Sequence, residues 1–427
     1  MPNPHLLCAE LLQKILEDKV FFAEFKKYIP EKDRPLINML LLTSLRYYNS
    51  IKTLLYTDFL RKKIPHKHRM AEYLLIIAMS EILYMNTPQY AVINETVSCI
   101  KKCSNNIIGG MANAVLRKIV TQKTDILQTI KNISPLPQNF LDILKGYTSE
   151  EINQISHSVT EIPPLDISCK QNTLKWQKEL NAELLPNGSL RLYQNSSIKD
   201  ISGYSAGEWW VQDVAAALPV SAMGNIKGKK ILDLCAAPGG KTAQLLAKNA
   251  EVTAVDISTE RLQTLHQNMQ RLHFDNLRTI NDDALNYLSV SNETYDAILL
   301  DAPCSASGTF RRHPEVLHIK SWQDAEQQIS LQKQLLGKCK NLLKKGGILI
   351  YSVCSICKAE GEEQIADFLR KNNCFKLLPI HYEDISEYGV WSDSIITPEG
   401  YIRTLPFYLK QQKGMDSFFI CKMQRII

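Results

Sequence analysis

Ile231-Leu-Asp-Leu-Cys-Ala-Ala-Pro-Gly-Gly-Lys241-Thr-Ala-Gln-Leu-Leu246 is the stretch that decides the fold. Ile231 to Cys235 reads as a buried strand. Pro238, Gly239 and Gly240 make a tight turn, and Leu245 and Leu246 mark the apolar side of a helix. This is the first β-turn-α step of a doubly wound sheet. Small residues in such a turn let a ligand lie against the backbone. The dinucleotide pattern G-x-G-x-x-G is absent. Gly240-Lys241-Thr242 matches the end of a triphosphate-binding loop, but that loop's first glycine falls at 235, where Cys235 stands. Glu251-Val-Thr-Ala-Val-Asp256 is a second strand ending in an acid, 17 residues after Gly239, about where a carboxylate grips ribose hydroxyls. This pattern suits a nucleoside-type cofactor without a pyrophosphate. S-adenosylmethionine, leaving as S-adenosylhomocysteine, fits.

The sheet continues downstream. Thr259 to Leu272 reads as a helix carrying Arg261, a candidate on the cofactor side. A short third strand leads into Asn281-Asp-Asp283-Ala284. Asp283 is either an adenine contact or a helix N-cap. Asp296 to Asp301 is a fourth strand, running into Asp301-Ala-Pro-Cys304-Ser-Ala-Ser-Gly308. Ligands of such sheets bind outside the carboxyl ends of the strands, which places Asp301 and Cys304 at the mouth of the site. Arg311-Arg312-His313-Pro314 follows and adds two cations for phosphate contact. A long helix spans Trp322 to Leu343. The fifth strand, Gly347 to Ser352, ends in Val353-Cys354-Ser355, so a second cysteine lies at the same edge. Phe375 to Ile380 and Ser417 to Met423 supply late strands, the last pairing as an edge.

Upstream the pattern is different. Leu7, Leu11 and Ile15, then Leu36, Ile37, Leu40, Leu41 and Leu45, repeat at helical spacing, and Ala71 to Met85 is nearly all apolar. The first 135 residues read as an all-α domain with a buried central helix. Arg61-Lys62-Lys63-Ile-Pro-His-Lys-His-Arg69 holds five Lys or Arg in nine residues and no acid. It is either a solvated loop or a phosphate-contacting patch. Residues 136–222 mix short strands with a helix around 173–183 and read as a small α+β module. Its Trp209 and Trp210 suit packing better than base stacking. The sheet domain then covers 223–427.

Composition sets limits. The apolar share of 45% and charged share of 22% place the chain among globular proteins. A net charge of +6 is mild and permits a nucleic-acid partner. No signal-peptide pattern and no membrane-spanning run is expected, which points to the cytoplasm and reduced thiols. The 11 cysteines are odd in number and irregularly spaced, against a disulfide framework. Cys354-Ser-Ile-Cys357 has no second pair, so no metal is expected.

Cys304, Cys354 and Asp301 together suggest a chemistry. Carbon 5 of cytosine is a poor nucleophile. A thiolate adding to carbon 6 makes it enamine-like, an acid at N3 assists, and a base must then remove the carbon 5 proton.

These motifs resemble the bacterial RsmB (Sun) family. Ile231 to Thr242, Asp301 to Gly308, Arg311 to Pro314 and Tyr351 to Ser355 carry the likeness in this order. Glu31-Lys-Asp-Arg-Pro, Leu45-Arg46, Asn94-Glu-Thr-Val97 and Asn113 to Ile119 are similar to a NusB-like RNA-binding domain. The resemblance implies a multidomain chain: a NusB-like helical domain, a small α+β module and a class I, Rossmann-like methyltransferase domain. It implies 5-methylcytosine formation in 16S ribosomal RNA by a monomer, with Cys354 as nucleophile and Cys304 releasing the product. It also implies cofactor contacts from Cys235, Ala236, Ala237, Pro238, Gly239, Gly240, Lys241, Asp256, Asp283 and Asp301. RNA contacts would come from Arg61, Lys62, Lys63, Arg311, Arg312 and His313. Rival readings are a transfer-RNA cytosine methyltransferase and a non-catalytic RNA-binding assembly factor. Two departures stand out. Val353 replaces the family's Thr before the nucleophile, and Lys358-Ala-Glu360-Gly361 replaces Pro-Glu-Glu-Asn, keeping Glu360 but not the Asn.

Overall fold

The computed structural model describes residues 3–193 and 197–427, in two compact units. The first comprises Met1–Asp142, Thr148–Glu161 and Phe310–Ser321. The second comprises Ile143–Tyr147, Ile162–Thr309 and Trp322–Ile427. Of residues 136–222, read as a separate module, 143–147 and 162–222 cluster with the sheet domain and 136–142 and 148–161 with the helices, as does Phe310–Ser321.

Helices Pro4–Glu17, Arg34–Leu54, Arg69–Tyr84, Gln89–Cys103 and Asn106–Thr121 build the first unit, with no strand among its described residues. Every residue from Ala71 to Leu83 is buried, as an all-round apolar helix requires. Side-chain caps start two of the others: Asn3 accepts from the amides of His5 and Leu6, and Asn105 from that of Ile108. The Phe310–Ser321 segment belongs here because Phe310, Val316, Leu317 and Ile319 are buried apolar side chains. Phe310 meets Phe140 edge-on at 5.8 Å. Arg46 donates to the carbonyls of Val159 and Arg311.

The second unit contains two sheets. The small one is antiparallel, β1 (Leu165–Cys169), β2 (Glu183–Leu184), β3 (Leu190–Leu192) and β4 (Trp209–Val211), in the order β2-β3-β1-β4. Trp209 and Trp210 are buried in the second unit, and their indole N–H groups donate to Ser202 O and Gln212 Oε1, each at 2.8 Å. Gln212 in turn donates to Gln244 at 3.2 Å, on the helix that follows the Gly/Pro turn.

The large sheet comprises β5 (Lys230–Leu234), β6 (Glu251–Asp256), β7 (Leu277–Asn281), β8 (Tyr295–Asp301), β9 (Leu343–Val353), β10 (Phe375–Leu377), β11 (Ile402–Arg403) and β12 (Phe419–Arg425). The order is β10-β12-β9-β8-β5-β6-β7, with β11 also on β12. Strands β5 to β9 run parallel, and β12 is antiparallel to β9 and β10. Ile231, Ala297 and Leu299 join the apolar layer on one face. Leu232, Leu234, Ile298 and Leu300 join the layer on the other. Both faces are covered, as in parallel sheets generally. The expectation that the last strand is an edge is corrected: β12 lies between β9 and β10. Phe419, Ile420, Cys421 and Met423 are all fully buried, so its run of apolar residues marks an interior strand. From β5 the chain builds β6 and β7 on one side and returns to build β8 and β9 on the other. The carboxyl ends of β5 and β8 therefore form the switch point where ligands bind.

Candidate active site

Cys235 follows β5 with φ +60°, and the chain passes through the cis Ala237-Pro238 peptide to Gly239 at φ +101°. That left-handed conformation suits glycine, and a Cβ there would stand 3.0 Å from Leu265 Cγ. At Gly240, where the helix Gly240–Ala247 begins, a Cβ would meet only Gln212, at 4.0 Å. Below the turn Asp233 is fully buried. Its Oδ2 accepts from Thr242 Oγ1 at 2.6 Å, and its Oδ1 has no partner among the described residues. Burial pushes the Asp233 carboxyl up to about 7; Asp301 and Asp256 push the same way, while Thr242 and Lys241 oppose. The sequence reading passed over this acid, although a carboxylate inside an apolar strand run was a signal for it.

Asp256, at the buried end of β6, ties the turn down. Its Oδ2 accepts from the Ala237 amide and its Oδ1 from the Ser258 amide, both at 3.0 Å. Arg261 Nη1 lies 3.6 Å from Oδ2, and the same guanidinium donates to the Ala237 carbonyl. The next residue, Ile257, is 67% exposed, an apolar surface beside the acid that the sequence reading also missed. Asp283 is the N-cap of helix Ala284–Val290, accepting from the amides of Leu285 at 2.7 Å and Asn286 at 3.2 Å. An open glycine turn, a ribose-height carboxylate, an apolar surface and an unpartnered buried acceptor together fit a nucleoside-type cofactor.

Asp301 and Ser352 are register partners on β8 and β9. Asp301 Oδ2 binds Lys241 Nζ at 2.7 Å and Oδ1 accepts from Ser352 Oγ at 2.9 Å. Burial alone would pull the Lys241 ammonium down, but Asp301 outweighs it and the pKa is raised. Beyond these strand ends the two cysteines meet, Sγ to Sγ at 3.4 Å. The Cys304 thiol is pushed well above its usual range by its contact with Cys354, by burial and by Glu360, so it keeps its proton.

The remaining candidates lie in the first unit. Arg61, Lys62 and Lys63 are exposed on a loop anchored by buried Ile64. Arg312 is half-buried and His313 exposed. Arg311 is corrected as an RNA contact: its side chain is fully buried, in a segment whose Ile319 joins the apolar core of the helices. Among the described residues no cluster of His, Cys, Asp and Glu is placed to hold a metal, and no helix is long and apolar enough to cross a membrane.

Residues 221–424 match the family model described as 16S rRNA methyltransferase RsmB/F, and residues 3–121 match the NusB family. A ribosomal RNA small subunit methyltransferase B from Yersinia pestis bv. Antiqua (strain Angola) is 30% identical over 389 residues, 87% of this chain and 90% of that one. The crystal structure of PH0851 covers 100% of this chain and 99% of its own at TM-score 0.74, with 21% identity. A methyltransferase homolog protein from Pyrococcus horikoshii covers 68% of this chain and 100% of its own at TM-score 0.54, with 26% identity.

Proposed function

The chain belongs to the 16S rRNA methyltransferase RsmB/F family, and from that premise we propose that it methylates carbon 5 of a cytosine in 16S ribosomal RNA through a covalent bond to Cys354. The observation that carries the reading is the pair of thiols 3.4 Å apart beyond Asp301.

When bound, S-adenosylmethionine supplies an electrophilic methyl group. The backbone from Cys235 to Lys241 would cradle it. Each Asp256 oxygen has accepted one amide N–H, and a carboxylate has about four acceptor sites, so capacity remains for ribose hydroxyls. Ile257 offers its exposed side chain to the adenine, and Asp283, beyond its capping role, an acceptor for the amino group.

The chain's own residues then divide the work. The Cys354 thiolate adds to carbon 6, and Asp301 with its bonded Lys241 shares a proton with N3 as negative charge develops there. After methylation the carbon 5 proton leaves, the S–C6 bond breaks and N3 returns its proton. Cys304, protonated at rest beside the sulfur of Cys354, can pass its proton to the departing sulfur and take up the carbon 5 proton; Cys354 then gives one proton to solvent, which restores its thiolate and accounts for the proton that each methyl transfer releases. The exposed loop Arg61 to Lys63 serves as a backbone contact for the RNA.

The test is transfer of labelled methyl from S-adenosylmethionine to naked 16S RNA, with transfer RNA in parallel, followed by bisulfite sequencing of ribosomal RNA from a deletion strain. Label in 16S RNA and loss of one protected cytosine are expected. Label in transfer RNA alone would give the substrate to that RNA, and no label with every cytosine still protected overturns the reading.

A further inference from the structure

One buried carboxylate joins the two cysteine loops. Glu360 is fully buried on the turn after β9, and its backbone carbonyl accepts from Tyr351 OH at 2.7 Å. Its Oε1 accepts from the Ser305 amide at 2.8 Å and from Gln332 Nε2 at 3.0 Å. Its Oε2 accepts the hydroxyls of Ser305 and Ser355, each at 2.5 Å. Ser305 directly follows Cys304, and Ser355 directly follows Cys354. Gln332 also donates to Pro303 O at 2.8 Å, just before Cys304. Arg403 fixes the other side of the Cys354 loop, donating to Ser355 O at 2.6 Å.

Resting on the two-thiol reading above, we propose that Glu360 is a positioning residue: it sets the distance between Cys304 and Cys354 by gripping the residue after each. It touches neither sulfur by hydrogen bond, so it acts through the loops. The four donors define what can replace it. Glutamine can keep its oxygen toward the two N–H donors and turn its NH2 toward the two serine hydroxyls, which can rotate to accept. Aspartate is shorter by one methylene and cannot reach both loops, and alanine reaches neither.

The experiment compares Glu360→Gln, Glu360→Asp and Glu360→Ala in the full chain, with thermal melting to score folding. Glu360→Gln should keep kcat within about fivefold, while Glu360→Asp and Glu360→Ala lose on the order of a hundredfold in kcat with little change in KM for cofactor, as displaced reacting groups do. A second readout needs no methylation. In a glutathione redox buffer, oxidised glutathione takes two electrons and two protons from the thiols and leaves a Cys304–Cys354 disulfide, scored by mass spectrometry. Its equilibrium yield should fall at least tenfold in Glu360→Asp and stay near wild type in Glu360→Gln. If the wild type forms this disulfide but transfers no methyl group, the functional reading fails and the positioning role stands. Glutamine as damaging as alanine would mean that the charge itself is required, and aspartate as good as wild type would mean that the grip is idle; either result overturns the proposal.

Discussion

Cys304 Sγ and Cys354 Sγ stand 3.4 Å apart just beyond β8 and β9, parallel neighbours on which Asp301 lies opposite Ser352. Both sulfurs face one place, so position alone assigns no order of action. The proposed mechanism gives the attack to Cys354 and the release to Cys304, whose thiol is raised by its contact with Cys354, by burial and by Glu360. Cys354→Ala should abolish turnover and form no adduct with RNA. Cys304→Ala should bond to carbon 6 but release slowly, giving a slow-migrating protein–RNA band on a denaturing gel. The reverse pattern would exchange the roles. Activity in both variants with no adduct would remove both thiols from the mechanism.

Asp256 accepts from the turn it faces as well as from Ser258. Asp256→Ala should therefore weaken S-adenosylhomocysteine binding by about 1.5–3 kcal/mol, roughly ten- to a hundredfold, the value of a hydrogen bond to a charged group. RNA affinity should stay nearly unchanged. Calorimetric titration reads the first and a filter-binding assay the second. Unchanged cofactor affinity sinks the ribose assignment.

Local pattern made the sheet readable. Glu251–Asp256 is a strand with the bounds expected, and β5 differs from Ile231–Cys235 by one residue at each end. The cysteines were readable because strand ends face the switch point. What stayed hidden depends on partners distant in sequence. Phe310–Ser321 reads as a basic loop of the sheet domain, yet its buried apolar side chains give it to the helices. Glu360 is surrounded by donors up to 55 residues away, which no spacing rule gathers. The structure also explains one departure from the family pattern. At Gly361 a Cβ would lie 2.4 Å from Arg403 Nη2 and 2.7 Å from Phe419 Cγ, so the family's Asn has no room here. Val353 is fully buried opposite Phe419, where an apolar side chain packs without needing a hydrogen-bond partner.

Arg61, Lys62 and Lys63 are exposed side chains on one short loop. Replacing all three with Ala should weaken RNA binding across sequences and flatten the slope of log affinity against log salt by up to about 0.9 per lost duplex-like contact. Folding should be unaffected, since Leu60 and Ile64, and none of these three side chains, reach the core. An unchanged slope leaves the loop as solvated surface.

His318 gives the helical unit a pH dependence of its own. The ring is buried, Nε2 lies 2.8 Å from Leu45 O, and the neutral tautomer donates there. Burial pulls its pKa from 6.5 to about 4; Lys19 pushes the same way, while the Leu45 bond and Glu315 oppose. The folded ring therefore stays neutral where the unfolded one takes a proton. The stabilisation is complete above pH 6.5 and is lost as the pH falls from there through about 4. The full loss is about 3 kcal/mol at 1.36 kcal/mol per pH unit. Hydrogen exchange in the helix Arg34–Leu54 of the full chain, followed between pH 7.5 and 5, reads it locally once the intrinsic rate is divided out. His318→Gln keeps a donor for Leu45 and does not titrate, so its protection should fall less with acid than that of the wild type. Equal pH slopes in the two proteins would mean that His318 is not the group responsible.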